Sequence, residues 1–315
     1  FARYRIRLRE PIRTSYRGFE IVGFPPPSSG GVHVAQILNM VEGFDLRRMG
    51  AGSSDSAHVL VEAMKRAFAD RAHWLGDPAF TFVPGGLVSK AYAERLARDI
   101  RLDAATPVAG HGEPESVSRG PLGGHTTHFS TADAAGNWVA GTATLNTAFG
   151  SKVIVPGTGI VLNNQMDDFS AQPGATNYFG LVGAMANAVA PGKRPLSSMS
   201  PTIVLEGGRP ILAVGASGGP TIISQTVLVL VNTLDFGMDL ETALRHPRFH
   251  HQWRPDELRV EPGVPREVRR ELERRGHRLA EARSLAATQA VAAQREGSAL
   301  VAAADPRSRG QAGAR

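Results

Sequence analysis

The chain has 315 residues, 42% of them hydrophobic and 20% charged, with a formal net charge of +6. That allows one large domain or two modest ones and excludes a mostly disordered chain or a coiled coil. Cysteine is absent, which excludes disulfide scaffolds, zinc–thiolate sites and cysteine nucleophiles.

The chain opens on Phe1, with a basic stretch from Arg3 to Arg9 and then Pro11. No initiator Met and no apolar signal region are present, so a processed start or a piece of a longer polypeptide is expected. Alternation predicts strands over Tyr4–Leu8 and Phe19–Phe24. Ser28, Ser29 and two glycines follow three prolines and predict a helix start, with Val34, Ile37, Leu38 and Val41 on its apolar face. Further helices are predicted from Asp55, carrying Leu60, Met64, Phe68 and Leu75, and over Ala91–Ile100. The stretch from Asp103 to Gly124 is rich in Pro, Gly, Ser and Glu and reads as an exposed linker.

After His125 the character changes. Thr126–Ala132 and Asn137–Phe149 predict a β-hairpin, and Ile154–Leu162 another strand. Gly174–Lys193 reads as a long loop. Thr202–Glu206 and Ile211–Val214 predict a second hairpin, Pro220–Leu234 a helix, and Leu240–Arg245 and Val264–Gly276 two more. The longest aliphatic run, Val227–Val231, is far short of the roughly 18 apolar residues of a membrane-crossing helix. Arg266, Arg269, Arg270, Arg274 and Arg275 alternate with Glu267, Glu271 and Glu273, a solvated face with i,i+4 pairs. No aromatic residues interleave with them, so no nucleic-acid partner is expected. Strands at Ala290–Ala293 and Leu300–Ala303 close an α+β reading with a mostly antiparallel sheet.

Four segments could carry chemistry. Gly215-Ala216-Ser217-Gly218-Gly219 matches the G-x-S-x-G nucleophile elbow between a predicted strand and helix, with Asp235 or Asp256 and His277 in triad order. The plainer reading is a tight turn whose backbone N–H groups take an anion. Thr126-Thr127-His128 opens a strand after the linker. A threonine hydroxyl needs a base, and a cut before it would free its own α-amine for that role. If the hairpin turn centres near Ala135, paired positions sum to about 270 and Thr126 lies opposite Thr144, with Cβ atoms about 5 Å apart. A plain cross-strand Thr pair fits the same pattern. Asn163-Asn164-Gln165-Met166-Asp167-Asp168-Phe169 suits a ligand ammonium or a capped turn. Arg194-Pro195-Leu196-Ser197-Ser198-Met199-Ser200-Pro201 holds hydroxyls between prolines, suited to a carboxylate or to a rigid loop. His246-Pro247-Arg248-Phe249-His250-His251 has H-x₃-H spacing, but Pro247 spoils a helical metal pair and no metal site is expected. Trp74, Trp138 and Trp253 read as packing.

Together and in this order, these segments resemble γ-glutamyltransferase (γ-glutamyl transpeptidase, glutathione hydrolase). The resemblance rests on Thr-Thr-His-Phe-Ser at 126–130, Thr-Ala-Thr-Leu-Asn-Thr-Ala-Phe-Gly at 142–150, Leu-Asn-Asn-Gln-Met-Asp-Asp-Phe at 162–169, the serine segment at 194–201 and Ser-Gly-Gly at 217–219. Pro-Pro-Pro-Ser-Ser-Gly-Gly at 25–31, Leu-Gly-Asp-Pro at 75–78, Pro-Arg-Phe-His-His-Gln-Trp at 247–253 and Asp-Pro-Arg-Ser at 305–308 agree. It implies an N-terminal nucleophile hydrolase with a four-layer αββα sandwich, incomplete at its N-terminus and without a cofactor.

The resemblance also implies self-cleavage between His125 and Thr126. Residues 1–125 would be the C-terminal part of a large subunit and 126–315 a small subunit, the two sharing one domain as a heterodimer. Thr126 would be nucleophile, supported by Thr144, with Gly218 and Gly219 donating to the oxyanion. Asn146, Gln165 and Asp168 would hold the substrate α-ammonium, and Ser197 and Ser198 its α-carboxylate. Implied donors are glutathione, γ-glutamyl peptides and glutamine, and implied acceptors are water, amino acids and peptides. The implied location is periplasmic or secreted. Phe179, in a lid-like segment from Gln172, stands where a tyrosine is common. The family's large subunit is far longer and carries a carboxylate-binding arginine that no motif here matches. Alternatives are a glutaryl or cephalosporin acylase of the same family, a serine hydrolase using Ser217, and a truncated non-catalytic chain.

Overall fold

The computed structural model describes residues 4–115, 127–294 and 299–314. The strands are β1 Ile12–Tyr16, β2 Phe19–Gly23, β3 His128–Ala132, β4 Trp138–Thr142, β5 Thr202–Glu206, β6 Arg209–Ser217, β7 Phe249–His250, β8 Leu258–Val260, β9 Leu279–Glu281, β10 Ala287–Ala293 and β11 Leu300–Ala304. The helices are α1 Gly30–Val41, α2 Leu46–Met49, α3 Ser54–Trp74, α4 Lys90–Arg98, α5 Thr221–Leu234, α6 Leu240–Arg245 and α7 Arg266–Arg274.

An antiparallel sheet in the order β1-β2-β5-β6-β10-β11 divides the molecule. Successive side chains on a strand point to opposite faces. On one face Ile21, Val204, Leu212, Val214 and Ala290 join the core of α1, α3 and α5. Fully buried aliphatic side chains there, such as Ile37, Ile223 and Leu230, each contribute about 1.5–3 kcal/mol. On the other face the β3–β4 hairpin stacks across β5, β6 and β10. A helical layer, the sheet and a second β layer are therefore present among the described residues. A small sheet, β7-β8-β9, flanks them. No helix among the described residues is long and apolar enough to cross a membrane.

Local chemistry sets the element boundaries. Ser53 caps α3 by accepting from Ser56 N at 3.1 Å, and Ser89 caps α4 from Tyr92 N at 3.2 Å. The start of α1 lies so close to its surroundings that a Cβ on Gly30 would fall 1.9 Å from Met199 O, and one on Gly31 2.3 Å from Phe24 O.

Several expected elements differ. Tyr4–Leu8 forms no strand; its backbone is held by a side chain rather than a ladder, Arg5 O accepting from Arg194 Nη2 at 3.0 Å. The second hairpin strand ends at Thr142 rather than Phe149, since Asn146 and Phe149 turn the backbone to φ values of 78° and 61°. Ile154–Leu162 is a turn closed by a single Ile154–Val161 bridge, bent at Gly157 and Gly159 with φ of 76° and 70°. Residues 103–115 are irregular but tied down. Ala105 N donates to Arg275 O, Trp253 Nε1 to Val108 O and Gly86 N to Glu115 O. The remainder of the expected linker, with His125 and Thr126, lies outside the described residues.

Candidate active site

The hairpin pairs His128 with Thr142 and Ala132 with Trp138, positions that sum to 270. Ala143 N donates to Thr127 O at 2.5 Å, continuing the ladder toward position 126. Thr144 Oγ1 accepts from Asn146 N at 2.8 Å, which leaves its own hydrogen to donate. His128 is wedged between hairpin and sheet, bonded to Thr142 Oγ1 and Ser130 Oγ, both at 2.9 Å. Burial lowers its pKa to about 4, so it is neutral at physiological pH.

A cavity of about 300 Å³ gathers Asn146, Asp168, Ser197, Ser198, Gly218 and Gly219 on its wall, together with Arg71. That is the small end of the range for small-molecule sites. Six of the nine residues expected at a site thus meet around one space. Gln165 stands behind Asp168, Thr144 is reached through Asn146, and Thr126 is outside the described residues.

One end is stitched to the helical core. Ser29 N donates to Ser197 O and Ser197 N to Pro27 O, both at 2.8 Å. Ser28 Oγ donates to Met199 O at 2.7 Å and Ser29 Oγ to Ser197 O at 2.8 Å. Arg71, on the last turn of α3, donates through Nε to Ser29 Oγ at 3.0 Å and through Nη2 to Ser198 Oγ at 3.2 Å. It is 4% exposed and forms no ion pair among the described residues. Burial lowers its pKa to about 10, against the attraction of Asp168, and it remains a cation. The sequence motifs did not flag this arginine.

The opposite end is a one-turn 3₁₀ helix, Gln165–Asp168. Asn187 Nδ2 holds Asp168 O at 2.8 Å, while Asn187 Oδ1 accepts from Leu196 N at 3.0 Å, tying this turn to the serine segment. Asn163 and Asn164 serve the turn itself: Gln165 N donates to Asn163 Oδ1, and Thr147 N to Asn164 Oδ1. The capped-turn reading therefore fits those two amides. Gln165 Nε2 donates to Asp168 Oδ2 at 2.6 Å, which turns Gln165 Oε1 away, buried and without a partner. An orphaned buried acceptor costs about 1–3 kcal/mol. Burial pushes the Asp168 carboxyl up to about 7, opposed by Arg71 and by a hydrogen bond from Asn146. A cation held in the cavity would relieve the buried carboxylate of Asp168.

Between the ends, Gly218 and Gly219 precede α5 with φ of 146° and 60°. Neither N–H donates to an acceptor among the described residues, so both are available to an oxyanion. A Cβ on Gly219 would lie 2.8 Å from the Phe179 ring, so Phe179 packs directly against Gly219. The triad of the alternative elbow reading is not assembled among the described residues. His277 is bonded to His58 at 2.7 Å, Asp235 to Tyr16 and Arg17, and Asp256 to His251. Among the described residues Ser217 has no His–Asp pair beside it.

Helices against an antiparallel sheet, a hairpin stacked on its far face and a cleft of hydroxyls, amides and free N–H groups define the class: this is the α+β fold of the N-terminal nucleophile hydrolases, with three layers of its αββα sandwich, one helical and two β, present among the described residues. A solved cephalosporin acylase from Bacillus halodurans superposes with a TM-score of 0.83 at 30% identity, over 98% of this chain and 54% of that one. An acivicin-inhibited gamma-glutamyltranspeptidase chain superposes with a TM-score of 0.57 at 44% identity, over 58% of this chain and 100% of that one. The glutathione hydrolase proenzyme of Escherichia coli K12 is 46% identical over 312 residues, 98% of this chain and 53% of the relative. The family model of gamma-glutamyltranspeptidase matches residues 1–315, and the chain belongs to that family. It spans about half the length of the curated relatives it matches.

Proposed function

We propose that this chain carries the catalytic centre of a γ-glutamyl transferase and hydrolase acting through Thr126. The polypeptide cuts itself between His125 and Thr126, giving a subunit of residues 126–315 that stays paired with the preceding part. Thr126 Oγ1 adds to the γ-amide carbonyl carbon while its proton passes to the residue's own α-amine. The oxyanion is met by the N–H groups of Gly218 and Gly219. The amine leaves with that proton, and the γ-glutamyl ester is passed to water, an amino acid or a peptide. Thr144 holds the attacking hydroxyl. Glutathione, other γ-glutamyl peptides and glutamine are the donors this reading implies.

The observation that carries the reading is the polarity of the cavity. Asp168, held by Gln165 Nε2, faces a ligand cation at one end, and Arg71, Ser197 and Ser198 face an anion at the other. An α-amino acid brings both charges on one carbon. The likeness to a cephalosporin acylase over 98% of the chain favours a second reading, a glutaryl donor that has no ammonium.

The test is intact mass under denaturing conditions, followed by incubation with γ-glutamyl and glutaryl anilides. Two fragments meeting at His125/Thr126, and a γ-glutamyl but no glutaryl adduct on the second, are expected. Thr126→Ala should abolish both the cut and the adduct. An adduct that survives Thr126→Ala would refute the assignment of the nucleophile, and a glutaryl adduct alone would favour the acylase.

A further inference from the structure

Arg71 offers five N–H donors and no acceptor. The Ser29 hydroxyl spends its hydrogen on Ser197 O, so its lone pair receives Arg71 Nε. Ser198 Oγ receives Arg71 Nη2, which turns the Ser198 hydroxyl hydrogen away from the guanidinium. That hydrogen has no acceptor among the described residues. Ser197 Oγ likewise accepts from Met199 N at 3.2 Å, and its hydrogen is also uncommitted. Two free O–H donors therefore sit side by side on the cavity wall, and both residues are at least nine-tenths buried. The cation behind them is buried too, and its side-chain partners among the described residues are two serines and no carboxylate. A buried charge whose counter-charge, here Asp168, is not in contact is costly, and an anionic ligand group supplies one that is.

We infer that Arg71 is a positioning residue: clamped between Ser29 and Ser198, it aims the Ser198 hydroxyl as a donor beside that of Ser197 and sets this end of the cavity for a carboxylate. The inference rests on reading the cavity as an α-amino-acid site. A brace that merely joined α3 to the serine segment would affect stability without discriminating between ligands.

The experiment titrates the full chain, Arg71→Met, Arg71→Lys and Ser29→Ala with L-glutamate and with 4-aminobutanoate, which lacks the α-carboxylate. Circular dichroism checks folding in parallel. Arg71→Met should weaken glutamate binding at least about tenfold while 4-aminobutanoate changes less than about threefold. Arg71→Lys keeps the charge but loses the planar fork, and should recover part of the loss. Ser29→Ala, which lines no part of the cavity, should shift glutamate in the same direction by less. Equal losses for the two ligands, or none for either, would overturn the inference. If Arg71→Met does not fold, the ligand ratio in Ser29→Ala decides by the same criterion. A wild-type chain that binds no glutamate would overturn both the inference and the amino-acid reading of the cavity. Glutamate binding without a Thr126 adduct would instead overturn only the transfer chemistry.

Discussion

The two ends of the cavity are built from different material. The anion end stands on regular structure: Arg71 belongs to a helix buried along most of its length, and Ser197 and Ser198 are pinned to the start of α1. The cation end lies on residues 143–190, which hold only two short 3₁₀ turns and expose Phe149 by 76% and Met185 by 70%. Electrostatics follow the same division. Arg71 keeps its charge across the physiological range, whereas Asp168, raised to about 7, does not. A rigid end of fixed charge thus faces an irregular end whose charge titrates, and on the proposed reading recognition of an ammonium is the switchable half.

Asp168→Asn should break this contrast most severely. The amide is isosteric but leaves the ligand ammonium buried without a counter-charge, a loss of about 2–5 kcal/mol in L-glutamate binding by calorimetry. Glutarate, which has no ammonium, should bind the variant as well as or better than the wild type. Stability should move the opposite way: at pH 8 the melting temperature should hold or rise, because a buried ionised carboxylate is gone. Equal weakening of both ligands would remove Asp168 from ammonium recognition.

Gly215→Ala tests the scaffold rather than the ligand. In sequence Gly215 opens an apparent nucleophile elbow, but in the structure its absent side chain is the space His128 occupies. A Cβ there would lie 2.4 Å from His128 Cε1 and 3.0 Å from Cγ. The hairpin must shift to admit it, at a cost of about 1–3 kcal/mol read as a lower midpoint in denaturant. A variant as stable as the wild type would show that the hairpin seats loosely on the sheet.

These residues also mark what was legible in the sequence. The hairpin register was, because side-chain period and turn position together fix which residues face each other, and β3–β4 pairs as that arithmetic expects. The serine and amide segments stood out because clustered polar groups beside apolar strands need partners. Arg71 did not stand out. It sits among Glu62, Lys65, Arg66 and Asp70, where Lys65 and Arg66 pair with Glu62 as ordinary ions. Nothing local separates an arginine that meets a carboxylate from one that meets two serines 42 and 127 positions away. One signal was available. Arg71 lies about 180° round the helix from Glu62, so the charges of α3 cannot share one solvated face and some had to be buried.

The smallest effect sharpens the comparison through pH. Burial raises the Asp168 carboxyl to about 7; Arg71 and the Asn146 hydrogen bond oppose that shift and the adjacent Asp167 adds to it. A raised carboxylate pKa means the free site holds a proton below about 7 that an incoming ammonium must displace. On this account about one site in eleven is ionised at pH 6 and about ten in eleven at pH 8. L-Glutamate affinity should therefore rise about tenfold over that interval, while its own ammonium stays protonated and Arg71 stays charged. Binding is the better readout than turnover, because a freed Thr126 α-amine would titrate near 7.7–8.0 and impose its own slope on the rate. Glutarate gives the opposite control. Lacking the ammonium, it should bind more weakly as Asp168 ionises, so the two ligands should cross as pH rises. Parallel profiles for both would mean that the titrating group is not the one that meets the ammonium.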